Sequence, residues 1–386
     1  LSVELNDLCE LIVDCEHKTA PTQTTGYPSI RTPNIGRGRL ILDGVNRVSE
    51  ETYQLWTRRA VPRSGDLIMA REAPVGNVAI IPAGLNPCLG QRTLLIRPDR
   101  SKVEPSYLNY FLNGPQAQAL IHGKTNGATV AHLNMKDVRT MVLPDFPSLP
   151  TQRRIAGILS AYDELIDNSQ RRIKILETMA RSLYREWFVH FRIPGSEQNP
   201  RVESALGQIP QGWEVMNLFD LAKVNYGKNL STKKLVDHAL YPVYGAAKII
   251  GRYTEYTRNE RTIICGCRGS VGEMQITEPQ CYVTNNSFTF DPNHPDNFFW
   301  LFQTLKERGL RDVVGGSAQP QITLDGISSV ELVTPPLPLR SLFQNAVRPL
   351  FEESWLLNDQ IQNLRRTRDL LLPRLLSGQI NVDATP

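Results

Sequence analysis

The sequence predicts an α+β protein with an internal repeat: two mixed α/β heads, each followed by a long helix with a heptad stripe. Three observations carry this. Ile155, Leu159, Tyr162, Ile166, Ser169, Ile173, Leu176, Ala180, Leu183 and Trp187 follow at alternating steps of four and three, and only Ser169 is not apolar. Adding 188 to each number gives Phe343, Val347, Leu350, Ser354, Leu357, Ile361, Leu364, Arg368, Leu371 and Leu375, eight of them apolar. The blocks preceding the two stripes match each other in short runs. Steps of four and three form the seam of a helix that meets another helix, so each rod can bury its stripe on the other. Roughly 35 to 40 residues at about 1.5 Å each make a rod of about 50 to 60 Å, too long for an ordinary helix inside one compact domain.

Residues 1–150 form the first head. The apolar runs SGDLIMA, GNVAIIPAG and GQRTLLIRPD alternate with Gly, Pro and Asn, which predicts short strands joined by turns. A helical piece is expected at about Pro105 to His122. The loops RTPNIGRGR (Arg31 to Arg39) and GKTNGATVAH (Gly123 to His132) are too polar and glycine-rich for core. The first rod occupies 151–193. Pro194, Gly195 and Pro200 then stop it and open a linker at 194–206. The second head occupies 207–338 and the second rod 339–380, closed by Gly378. Pro349 and Pro373 lie inside that rod, so a kink or an end is expected there.

The matches between heads are LNDLCEL with LFDLAKV at an offset of 213, AREAPVGNVAII with GCRGSVGEMQI at about 196, and NGATVAHL with GGSAQPQI at 189. The offset then settles at 188 for the rods. Rods of constant register with heads of variable length suggest that the rods set a distance and the heads read something.

With 386 residues, 41% hydrophobic and 21% charged, the chain can build two or three cores of ordinary globular composition. No apolar run reaches membrane-span length. Glu4, Asp7, Glu10, Asp14 and Glu16 argue against a signal peptide, the start at Leu1 suggests trimming, and a cytoplasmic location is expected. Six cysteines without a C-x-x-C pair or matching histidines argue against zinc and against a disulfide framework. A net charge of +4 favours an anionic partner only weakly.

No catalytic motif is evident. Phosphate-binding glycine loops, a G-x-S-x-G elbow and clustered carboxylates are missing, and the strings DPNH and TPPL do not make the adenine-holding segment of a DNA methyltransferase. The positive signal lies in exposed loops. Arg71 to Gly76 and Arg268 to Gly272 recur after a strand, and arginine beside glycine suits a DNA groove or phosphate. Further candidates for DNA contact are Arg31, Thr32, Asn34, Arg37 and His132 in the first head. In the second they are Tyr226, Lys228, Lys248, Gly269, Gln319 and Gln321. Asn and Gln can bond adenine edges in a bidentate way. Two other readings stay open on these residues: a self-contained DNA methyltransferase or nuclease, and a coiled-coil scaffold whose heads bind proteins.

The motifs GWEVMNLFDL, LPTQRRIAGIL, ETMARSLYREWFVHF and LRRTRDLLLPRLLSGQI, with the paired loops, resemble the specificity subunit of type I restriction–modification systems over essentially the whole chain. The resemblance implies two target-recognition domains separated by two long antiparallel coiled-coil helices, with a pseudo-twofold internal repeat. Each domain would read one half of a bipartite double-stranded DNA target, and the helices would set the gap. No catalytic residue and no cofactor is implied on this chain. S-adenosylmethionine is expected on two partner methyltransferase subunits, with restriction–translocase subunits joining for cleavage and no membrane involved.

Overall fold

The computed structural model describes residues 2–125, 132–195, 200–316 and 319–382. The chain divides into two compact units. One comprises Leu1–Ser169 with Asp359–Pro386, the other Gln170–Asn358. Each unit therefore takes in one head and part of both long helices.

In the first unit the central sheet has five strands in the order Cys9–Asp14, Thr93–Pro98, Leu67–Ala70, Val78–Ile80, Gly38–Arg39. Leu67–Ala70 is buried along its whole length because both faces of this sheet are covered. Alternation decides which core each residue joins. Leu67, Met69, Val78, Leu94 and Ile96 point into one core, with the helix Pro105–Asn113. Ile68, Ala70, Ala79 and Leu95 point into the other, with Ile30 and Ile35. The helical stretch expected at Pro105 to His122 is two helices, Pro105–Asn113 and Pro115–Gly123. Pro115 starts the second, since its missing N–H costs nothing in a first turn.

The second unit repeats the plan with four strands, ordered Ala222–Tyr226, Ser287–Pro292, Ile263–Gly266, Met274–Ile276. Ile263 and Cys265 face one core with Trp300 and Leu301, while Ile264 faces a smaller one with Tyr244, Ala247 and Val283. The backbone repeats too. Leu5 N–H donates to Met141 O, and Leu218 N–H donates to Val330 O, both at 2.9 Å. The stretch assigned to a linker holds the first strand and turn of a hairpin, Arg201–Ser204, which pairs with Gly207–Pro210 at the start of the second head.

The long helices run Leu149–Tyr184, followed by a π-helical turn Arg185–Val189, and Leu337–Leu376. Both begin on a Leu-Pro pair, where proline fits the first turn. The second helix passes unbroken through Pro349 and Pro373, so neither ends it. Both prolines are solvent-exposed, and Phe343, Val347, Leu357 and Leu375 around them are buried, so packing holds the helix across the lost backbone bonds. Gly378, at φ +73°, ends it in the left-handed conformation.

All twenty seam positions are buried or half-buried. In the first unit Ile155, Ala156 and Leu159 share a core with Leu375, and Arg368 pairs with Asp163, which also accepts from Tyr110 Oη at 2.6 Å. In the second unit Arg172 pairs with Glu353 at 2.6 Å, and the Phe343 ring contacts those of Tyr184, Trp187 and Phe188. Within each unit the helices are antiparallel: as one number rises, its partner's falls.

Candidate nucleic-acid interface

In each head a central strand runs into a tight turn and returns as its neighbour. The turn closes where Gly76 N–H donates to Ala70 O at 2.8 Å, and where Gly272 N–H donates to Gly266 O at 2.9 Å. Both glycines sit at positive φ, +88° and +82°. At Gly76 a Cβ would also lie 2.7 Å from Ile121 Cγ2, so glycine is needed there for space as well as for conformation.

Further backbone bonds fix the register of the two turns. Arg71 N–H donates to Arg92 O and Cys267 N–H to Asn286 O, each at 2.9 Å. Leu133 N–H donates to Arg71 O at 3.1 Å, and Ile322 N–H to Cys267 O at 3.0 Å. Glu72 bridges His132 and Arg268 bridges Gln321, both antiparallel. Arg71 therefore corresponds to Cys267, Glu72 to Arg268, and His132 to Gln321. The pairing of Arg71 with Arg268 drawn from sequence is off by one place.

Side chains follow from that register. Arg71 turns inward like its counterpart, the buried Cys267. Its Nη1 lies 2.8 Å from Asp14 Oδ2 and its Nε donates to Leu133 O at 2.8 Å, so it holds the turn against the first strand. Arg268 is exposed, and its Nε donates to Gln321 Oε1 at 3.3 Å. Arg268, Gly269, Gln319, Pro320 and Gln321 line an open depression of about 500 Å³. A hairpin tip packs beside it. Ala246 and Ala247, at φ +50° and +61°, carry Lys248, and a Cβ on Gly269 would lie 3.4 Å from the Ala246 Cβ. Lys228 approaches the same strand end, where its N–H donates to Val283 O and its carbonyl accepts from Asn285 N–H. Tyr226 is exposed at the adjacent strand end, with its ring over Phe288. Tyr226, Lys228, Lys248, Arg268, Gly269, Gln319 and Gln321 are thus gathered around one end of the second head's sheet.

The first head gathers fewer of its expected residues. Arg31 is exposed and lies against Gly90, where a Cβ would be 2.7 Å from its Cγ. Thr32 is buried, and Ile35 beside it is core, so this loop is partly interior. Asn34 spends its side chain on the loop: Oδ1 accepts from Arg31 N–H and Nδ2 donates to Ile41 O. Arg37 is exposed beside the strand Gly38–Arg39, on the opposite edge of the sheet from Cys9–Asp14. His132 is half-buried at its bridge with Glu72, and residues 126–131 of the expected loop lie outside the described residues. Sequence reasoning missed Arg92. It is exposed at the start of Thr93–Pro98, with Nε 3.0 Å from Glu72 Oε2. The GQRTLLIRPD run gave no reason to separate it from other strand-flanking arginines.

Among the described residues no group of three or more His, Cys, Asp or Glu side chains is placed to hold a metal. The cysteines there are all unpaired. Burial raises the thiols of Cys9, Cys88 and Cys265 to about 12, which keeps them protonated and unreactive.

The sequence profile of the type I restriction modification DNA specificity domain matches residues 2–178 and 210–340. The chain belongs to this family. It is 25% identical to the type I restriction enzyme MjaIX specificity subunit of Methanocaldococcus jannaschii, over 88% of this chain and 83% of that one. It is 23% identical to the HindI specificity subunit of Haemophilus influenzae, over 92% and 95%. Its fold is similar to the crystal structure of the S subunit of a type I restriction–modification system from M. genitalium, with a TM-score of 0.63, 17% identity, and 97% and 96% of the two chains covered. The two profile matches coincide with the two heads, each with at least the start of its long helix, so the family's specificity domain occurs twice in this chain.

Proposed function

We propose that this specificity-family chain is the non-catalytic DNA-reading subunit of a type I restriction–modification enzyme. Each head reads one half of a bipartite duplex target. The observation that carries this is the repeated turn: one backbone register, closed by Gly76 and by Gly272, presents Glu72 and His132 in one head and Arg268 and Gln321 in the other. A constant frame with different polar side chains is what two different half-sites require, since base edges are told apart by donor and acceptor pattern. The lysines and arginines around each frame supply the sequence-independent attraction to phosphates.

Chemistry comes from partners. Two methyltransferase subunits bring S-adenosylmethionine and methylate adenine, and restriction–translocase subunits join them in the cytoplasm. The helices offer these partners apolar surface outside the seam. Ile158, Leu165 and Leu370 are exposed in the first unit, and Ile175, Met179, Leu342 and Leu356 in the second. No described helix is long and apolar enough to cross a membrane.

The test is reconstitution. The chain alone should neither methylate nor cleave DNA. With its methyltransferase subunits it should direct adenine methylation at a two-part sequence, and footprinting should protect two short tracts with a gap. Methyl transfer by the highly purified chain alone overturns the assignment.

A further inference from the structure

In both heads an exposed arginine at the same end of the sheet meets a polar side chain at its Nε, through a hydrogen bond in the second head and an ion pair in the first, but from different strands. In the second head the arginine is Arg268 and the holder is Gln321. In the first head the position of Arg268 is taken by Glu72, which cannot present a cation. There the arginine is Arg92, one strand over, and Glu72 is the holder, at 3.0 Å from Nε. The exchange conserves the product: an exposed guanidinium with a polar partner at Nε and none at Nη1 or Nη2 among the described residues. Among the described residues no other ion pair engages Arg92.

We propose that Arg92, held by Glu72, reads a guanine in the half-site of the first head, as Arg268 held by Gln321 does in the second. This rests on the DNA-reading function proposed above. The chemistry selects guanine because two parallel N–H groups match its O6 and N7 acceptors, which no other base presents together in the major groove. A partner at Nε leaves the two-pronged Nη1 and Nη2 edge available to a base. The Glu72 carboxylate also offsets part of the charge of Arg92, which makes it a weaker general phosphate contact than a lone arginine. Arg92 lies at φ +66°, a left-handed conformation uncommon outside glycine, asparagine and aspartate. An arginine sits there against its backbone preference. Arg31 adds a second exposed cation beside the same strand start. Glu72 is a positioning residue in this scheme, and Arg71, which the sequence favoured, is not a reader.

The experiment uses the full chain assembled with its methyltransferase subunits and a pool of duplex DNA of random sequence, from which bound targets are selected and read. The wild type should select two half-sites, each with a guanine. Arg92→Ala should lose roughly tenfold or more of the preference for one guanine in one half-site, the scale of a single bidentate contact, and leave the other half-site unchanged. Arg92→Lys keeps the charge and lacks the fork, so it should lose the same preference. Glu72→Gln keeps an acceptor for Nε and should retain it. Arg268→Ala should show the converse pattern. An unchanged target for both Arg92 variants overturns the arginine assignment while leaving the DNA-reading function standing. Equal decay of both half-sites in Arg92→Lys overturns it too, because it marks a general loss of folding or affinity. A wild-type complex that selects no sequence overturns the underlying function, and this inference with it.

Discussion

Arg71 shows how one hydrogen-bond register separates an inward arginine from an exposed one. Its guanidinium ties the first turn to Asp14 and to Leu133 O with little solvent access. Arg71→Ala should therefore lower the stability of the first unit by about 1–3 kcal/mol through the lost pair and the stranded carboxylate. The half-site it selects should not change. A urea unfolding curve together with target selection separates the two effects. Matching on the arginine alone hides this, because R-x-x-x-x-G and R-x-x-x-G both place an arginine before a glycine. The offset of 196 that aligns Gly76 with Gly272 already sets Arg71 on Cys267, and the bonds to Arg92 O and Asn286 O show the same register. Arg31, Lys228, Lys248 and Arg268 were legible as exposed polar residues, because charge and local composition are local properties, whereas Gln321 is half-buried in a short strand. The burial of Thr32 and the consumption of Asn34 were not, because they depend on what packs over the loop. The thiols give a second prediction. Cys9, Cys88 and Cys265 keep their protons up to about 12 when folded and release them near the ordinary 9.0 when unfolded. Their contribution to stability is complete below pH 9 and is lost as pH rises toward 12. The urea midpoint should fall between pH 8 and pH 10, and thiol reagents at pH 8 should label these residues only after unfolding.

The helices were the most legible elements, because a stripe repeated for forty residues leaves little freedom in which face is buried. Their ends were less so. Proline's local cost argued for a kink or an end at Pro349, and tertiary packing carries the helix past it without an end. The aromatic cluster around Phe343 locates where that packing is strongest in the second unit. Phe343→Ala should destabilise it by about 3–5 kcal/mol, the usual cost of an emptied aromatic core site. A loss under 1 kcal/mol in calorimetry would mean that the helix is held elsewhere. Sheet order was illegible for the opposite reason. Strands such as Gly38–Arg39 are two residues long and are defined by their partners, not by their own sequence.

At the scale of the whole molecule, the division between compact units crosses each long helix once, after Ser169 and after Asn358. One heptad inserted at both places keeps both seams in phase and lengthens each helix by about 10 Å, or about three base pairs of duplex. Selection from targets with random gaps should return the same two half-sites with a longer gap. Four-residue insertions should assemble poorly, since they break the seam as a stutter does. An unchanged gap in the heptad variant would show that the partner subunits, and not these helices, set the spacing.

The first unit is assembled from the two ends of the chain, with 189 residues of the second unit between them. During synthesis this imposes an order. The second unit is continuous and has all its residues once Asn358 has left the ribosome. The first waits, with the apolar sites for Leu371, Leu372 and Leu375 unfilled, until the final segment emerges. A late stop codon in the gene would thus do its damage far from where it falls. The missing tail belongs to the recognition head that was translated first, while the head nearest the lesion keeps its core.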